Sequence, residues 1–247
     1  MLEKILFKIG IFIGCCFFVA VFFSEASVDL HNKRNKDGVI YWHGDVGARK
    51  IALTFDDGPN EPYTFQILNI LKAYNIKATF FLIGKNVESY PEIVKRIAKE
   101  GHSIGNHTYS HPDLMLRMKF QIEKQIKSCE EAIVKTAGVR PYLFRPPYGL
   151  DNHLVFRETE KMGYIIIKWS VSAHNGSKDA RYDKMLKRVL KGVGNGSIIL
   201  LHDGDRLIKE ADRSQIVKAL PLIIKLLQQK GYQFVTIPEL LGFEKYS

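Results

Sequence analysis

The apolar pattern divides the chain in two. A long apolar run comes first, and from Val39 onward short apolar runs alternate with segments whose apolar residues recur at helical spacing. The short runs predict strands at Lys50–Phe55, Ala78–Ile83, Ser103–Asn106, Leu143–Phe144, Tyr164–Ser170, Ser197–Leu201 and Gln233–Thr236. The amphipathic segments predict helices at Tyr63–Asn75, Pro91–Lys99, Lys119–Thr136, Asn152–Met162, Lys184–Leu190 and Ser214–Gln229. Pro91 suits a first helical turn, and Gly138 closes the long helix before it. Strands alternating with helices imply βαβ units and a parallel sheet. About seven strands in one uninterrupted stretch suggest an α/β fold with a closed or nearly closed barrel. No internal repeat is visible.

The opening run has its own meaning. Lys4 and Lys8 precede apolar residues from Ile9 to Phe23, and Ser24-Glu25-Ala26 offers small residues at the two positions that a signal peptidase inspects. Residues 1–26 are therefore read as a secretory signal, or as a signal anchor if uncleaved, giving a single N-terminal membrane anchor. Residues 27–38 are a polar, basic linker, and residues 39–247 form one domain. At 247 residues and 46% hydrophobic composition, the chain has enough material for a core without staples. Its three cysteines build no disulfide framework, since Cys15 and Cys16 sit in the apolar run. The formal charge of +10 belongs wholly to residues 27–247, because Lys4 and Lys8 cancel Glu3 and Glu25. Outside a cell such a surface favours anionic polymers, an anionic cell-wall surface among them. Nucleic acid is excluded as a partner: no basic cluster with interleaved aromatics appears. A monomer is expected.

The polar residues that stand out fall where strands end, the place where a parallel barrel carries its chemistry. The first strand runs into Asp56-Asp57-Gly58-Pro59. Two adjacent carboxylates there are costly unless something positive holds one of them, although Asp-Gly-Pro alone is an ordinary turn. His107 and His111 stand four apart, share a face if their segment is helical, and can converge on one cation. With Asp57 they make a His₂-carboxylate set that leaves positions open for water and substrate. Arg145-Pro146-Pro147-Tyr148-Gly149 is a rigid corner that can present a backbone N–H, and Arg145 can pair with a buried carboxylate. His202 follows a buried strand and is a candidate proton donor.

Thr54–Pro59, Asn106–Pro112, Arg145–Gly149 and Leu200–Gly204, in this order and spacing, resemble the polysaccharide deacetylases of carbohydrate esterase family 4, the NodB-homology domain. The resemblance runs from about Val39 to Leu241. It implies a distorted (β/α) barrel of about seven parallel strands and divalent-metal hydrolysis of N-acetyl groups on GlcNAc- or MurNAc-type polysaccharide, peptidoglycan or chitin-like oligomers. Asp57, His107 and His111 would hold the metal, zinc first, with cobalt or nickel also suited. Asp56 would be the base, oriented by Arg145. Tyr148 N–H, next to Pro147, would stabilise the oxyanion, His202 would protonate the amine, and Leu200 and Trp169 would line the acetyl pocket. The family usually carries Asp-x-x-Asp-Trp after the strand ending in Trp169, where this chain has Ser172-Ala173-His174-Asn175-Gly176. Asn175 then stands where an aspartate would support His202, unless Asp179 takes that role. Two alternatives accompany the reading: an O-acetyl xylan esterase, and a non-catalytic glycan-binding relative.

Overall fold

The computed structural model describes residues 33–35, 38–174 and 180–243. The N-terminal apolar run, Asn175 and Asp179 lie outside them. Within the segment read as linker, Lys33–Asn35 (β1) pairs antiparallel with Gly38–Tyr41 (β2). The remaining strands among the described residues are Lys50–Asp56 (β3), Thr79–Leu82 (β4), Ser103–Asn106 (β5), Leu143–Phe144 (β6), Ile165–Ile167 (β7), Val171–Ser172 (β8), Ile198–His202 (β9) and Gln233–Phe234 (β10). Beyond β1–β2, every strand pairing is parallel, and the order is β1-β2-β7-β6-β5-β4-β3-β9-β8, with β10 on β3.

The single strand expected at Tyr164–Ser170 is in fact broken. Its first part, β7, pairs with β6, and β8 pairs with β9, so one interrupted segment touches both neighbours and closes the ring. The interruption has a cause at the N-terminal rim. There β2 takes the free edge of β7, and His43 bridges onward to Ser197. One strand further round, between β3 and β4, β10 takes the start of β3, and Ile237 N–H donates to Thr79 Oγ1 just beyond it. Two inserted strands at one rim distort the barrel. The strand expected to reach Thr236 stops at Phe234, because Thr236 caps the helix Ile237–Leu241 in a capping box with Glu239.

Side-chain alternation assigns the two faces. On β3, Ile51, Leu53 and Phe55 pack outward into the main core with the helices Tyr63–Ala73, Pro91–Lys99 and Ser214–Gln229. Ala52 faces the interior, with Phe81, Leu143, Ile167 and Ile198. The same alternation on β9 sends Ile199 and Leu201 outward, so Leu200 and His202 fall on the inner face. Phe55 and Phe80 stack at 5.0 Å between ring centroids, fixing β3 against β4 on the helix side. The interior is apolar at the N-terminal end and turns polar toward the C-terminal ends of the strands.

Candidate active site

The inward face of β3 continues from Ala52 to Thr54 and Asp56, and Asp56 stands in register with His202 on β9. Both are therefore delivered to one end of the barrel by strand pairing alone. Arg145, just after β6, is fully buried behind Asp56. Its Nη1 donates to Asp56 Oδ1 at 2.6 Å and to Thr54 Oγ1 at 2.8 Å, while Nη2 donates to Lys168 O and Nε to Ile167 O. Its guanidinium carbon lies 4.1 Å from the centre of the Phe81 ring. Burial pushes the Arg145 pKa down, and the Asp56 carboxylate opposes that shift.

Asp57 leaves the strand in the left-handed region, at φ 73°. Its Oδ1 lies 3.5 Å from His107 Nε2 and 3.3 Å from His111 Nε2. Thr108, His111 and Tyr148 are left-handed as well, at 68°, 56° and 60°. Such backbone costs about 1–2 kcal/mol per residue and persists where surrounding structure holds it, often at functional sites. The segment joining the two histidines is not helical. His111 is instead brought round by an irregular turn in which Thr108 N–H donates to Asn106 Oδ1 and His111 N–H to Thr108 Oγ1.

The three side chains fit a metal. One ligand atom from each of Asp57, His107 and His111 lies within 4.8 Å of the others, and all three residues are buried. His107 Nδ1–H donates to Arg145 O at 2.6 Å, which leaves the Nε2 lone pair for the site. Asp57 Oδ1 and His111 Nδ1 are buried without hydrogen-bond partners, a costly arrangement unless a cation or water is engaged. Burial would raise the Asp57 pKa, but hydrogen bonding and charge from His107, with His202 and His111, bring it well below the usual range. Burial would lower His107, yet the Asp56 and Asp57 carboxylates carry it upward. Burial, aided by the His107 charge, lowers His111 to about 4. One imidazole thus favours a proton that the other refuses, and a metal ion would replace that proton.

A cavity of about 140 Å³ joins these groups. It is lined by Asp56, Asp57, His107, His111, Tyr148, Trp169, Leu200 and His202. Of the residues singled out in the sequence, Arg145 stands behind the cavity, and Pro147 is buried and does not line it. Tyr148 packs edge-on against His111, 4.7 Å between ring centres. Burial lowers the His202 pKa, while the Asp57 and Asp56 carboxylates oppose that shift.

Other groups escaped sequence reasoning. Asp205, Arg206 and Arg213 line the same cavity from the loop after β9. Asn86 Nδ2 donates to both Asp57 O and Arg206 O. Asp203 is fully buried beneath the Asp56-Asp57 turn, accepts from Thr64 Oγ1 at 2.6 Å, and is pushed by burial up to about 7. A Cβ at Gly58 would fall 2.1 Å from Asp203 Oδ2, and one at Gly204 would fall 2.3 Å from Asp57 O. Both glycines are required by this close approach, which gives Asp57-Gly58 and Asp203-Gly204 a shared purpose. The doubled Asp-Gly pairs were the available signal.

Comparison with known proteins agrees with this geometry. Residues 43–167 match the polysaccharide deacetylase family. A peptidoglycan-N-acetylglucosamine deacetylase of Bacillus cereus is 42% identical over 206 residues, covering 82% of this chain and 72% of its own length. The peptidoglycan-N-acetylmuramic acid deacetylase PdaC of Bacillus subtilis is 41% identical over 201 residues, 81% of this chain and 40% of the relative. A solved peptidoglycan N-acetylglucosamine deacetylase superimposes with a TM-score of 0.76 at 40% identity, covering 81% of this chain and 92% of that one. The chain belongs to the polysaccharide deacetylase family of hydrolases.

Proposed function

We propose that the protein is an exported, zinc-dependent N-deacetylase of GlcNAc- or MurNAc-type polysaccharide, with peptidoglycan as the polymer. The observation that carries this reading is the pairing of Asp56, clamped by buried Arg145, with the Asp57-His107-His111 set beside it. A His₂-carboxylate donor set suits zinc, and cobalt or nickel fits the same donors. The more similar relatives are named for peptidoglycan, and a chitooligosaccharide deacetylase of Bradyrhizobium is less similar at 35% identity, which supports peptidoglycan over chitin. Residues 1–26 support export, and among the described residues no helix is long and apolar enough to cross a membrane.

When bound, a divalent ion supplies Lewis acidity that makes water more acidic and polarises the acyl oxygen. The rest falls to side chains of this protein. Asp56 takes a proton from the attacking water; Arg145 holds Oδ1 and leaves Oδ2 for that task, 3.9 Å from His107 Nε2. Tyr148 N–H donates to the developing oxyanion. His202, opposite Asp56 across the β3–β9 ladder, protonates the departing amine. Leu200 and Trp169 shelter the acetyl methyl. In the sequence Asn175 stands where the family usually carries an aspartate that supports this histidine, and it would offer His202 a neutral acceptor in place of a carboxylate.

Acetate release tests the reading. N-acetylated peptidoglycan should yield acetate, chelation should abolish the release, and added zinc should restore it. Acetate from O-acetyl xylan alone would support the esterase, and none from any glycan, with binding retained, would support the non-catalytic relative.

A further inference from the structure

The rim of the cavity holds a cation that amide hydrolysis does not use. Arg206 lines the cavity together with Asp57 and His111. Its guanidinium carbon lies 5.6 Å from the centre of the Tyr148 ring, the ring that packs against His111. The side chain is exposed at the rim, but the backbone that carries it is held in place. Asn86 Nδ2 donates to Arg206 O at 2.7 Å and to Asp57 O at 2.8 Å, so one amide ties the Arg206 backbone to that of a metal-site residue. Arg206 is also left-handed, at φ 51°, a conformation that a free loop residue seldom keeps.

Its charge is also largely unspent. Apart from Asp56 and Asp57, the one carboxylate among the described residues lining the cavity is Asp205. Arg213 Nη2 engages Asp205 Oδ2 at 3.1 Å, while Arg206 Nε is 4.0 Å from the other oxygen. Arg213 is further committed to the backbone, donating to Gly204 O and Asp212 O. Two guanidinium groups share one carboxylate, which leaves the rim positive on the Arg206 side.

We propose that Arg206 is a specificity-determining residue that reads a carboxylate on the substrate sugar next to the acetamido group. The preferred unit is then a muramic-acid type, whose lactyl ether places a carboxylate on the neighbouring carbon's oxygen. A guanidinium pairs with a carboxylate through directed, charge-assisted hydrogen bonds, and an unsubstituted GlcNAc unit offers it no anion. The inference rests on the deacetylase reading above and deepens it. Overall similarity does not decide the sugar, since relatives named for GlcNAc and for MurNAc are 42% and 41% identical to this chain.

The test uses the full, zinc-loaded chain and two substrates: a chitin tetramer, and a GlcNAc–MurNAc tetramer without peptide stems. Acetate release gives kcat and KM, and tandem mass spectrometry assigns the sugar that lost its acetyl group. In the wild type, loss should fall on the muramoyl sugar, with a preference that weakens as salt rises. Arg206→Gln should lower kcat/KM on the muramoyl substrate about tenfold more than on chitin tetramer, mainly through KM. Arg206→Lys should recover part of that difference. Equal changes on both substrates, or acetyl loss from GlcNAc units alone, would overturn the inference while leaving the deacetylase reading intact. Release from neither substrate by the wild type would overturn both.

Discussion

Asp56 and Asp57 are neighbours in sequence with opposite surroundings. Asp56 ends a strand with one oxygen held by Arg145, whereas Asp57 turns left-handed toward two imidazoles. The fold thus gives the two carboxylates of one dipeptide different surroundings, as the proposed roles of base and ligand require. His202 poses a different problem, because a general acid must hold its proton until the amine leaves. Burial lowers its pKa, so the proton is lost at lower pH than from a solvated imidazole, and the alkaline limb of the rate profile moves toward acid. A carboxylate partner would raise that pKa again. Asn175→Asp should therefore move the alkaline limb upward by on the order of one pH unit. Superimposable pH–rate profiles for the two proteins would remove Asn175 from the mechanism and direct attention to Asp179. Asn175 was found only by its departure from the family pattern, and it lies outside the described residues.

Elements were legible where their ends carry chemical signals. The helix Pro91–Lys99 begins at a proline and the helix Lys119–Ala137 ends at left-handed Gly138, and both match the pattern closely. The helix Gly84–Ser89 was missed because six residues are too few to show a period. The backbone carrying His107 and His111 was left open by the sequence, because spacing by four is compatible with many conformations, and the irregular turn found there is one of them. Helix Lys119–Ala137 also starts poorly: exposed Met118 occupies the N-cap, and Gln121 Oε1 reaches back to its N–H. Met118→Ser should stabilise the protein by about 1 kcal/mol in urea unfolding, and no gain would mean that Gln121 already suffices. At the start of β5, His102 Nδ1 accepts from Ala78 N–H, and burial with the Lys77 charge lowers its pKa to about 4. Below pH 6.5 the unfolded chain gains a proton that the folded chain refuses, so stability is lost as pH falls from about 6.5 toward 4. The contribution is on the order of 3 kcal/mol. His102→Asn keeps an acceptor without the titration, so its melting temperature relative to wild type should rise between pH 7 and pH 5. A constant difference would contradict this.

The whole molecule turns short sequence motifs into one site by a simple rule. Parallel strands deliver their C-terminal ends to the same rim, so residues far apart in sequence meet there. That Asp56, Asp57, His107, His111 and His202 gather at one site was legible because each ends a strand or follows one closely. Asp205, Arg206 and Arg213 were not, because they sit in an irregular loop whose charges show no period. The barrel itself was legible and so was β10 as a strand, but β2 was not, and the places both take at the N-terminal rim are set by tertiary pairing that no local pattern encodes. The net charge of +10 marks a surface suited to anionic polymers and says nothing about which groups react. The proposed mechanism divides labour between Asp56 and the Asp57-His107-His111 set. Metal content and acetate release, measured on the same sample of Asp56→Asn, test it most directly. Asparagine keeps an oxygen for Arg145, so the account predicts about one zinc per chain with acetate release reduced by about 10² or more. A variant that loses its zinc, or keeps it and still releases acetate at the wild-type rate, would contradict the account.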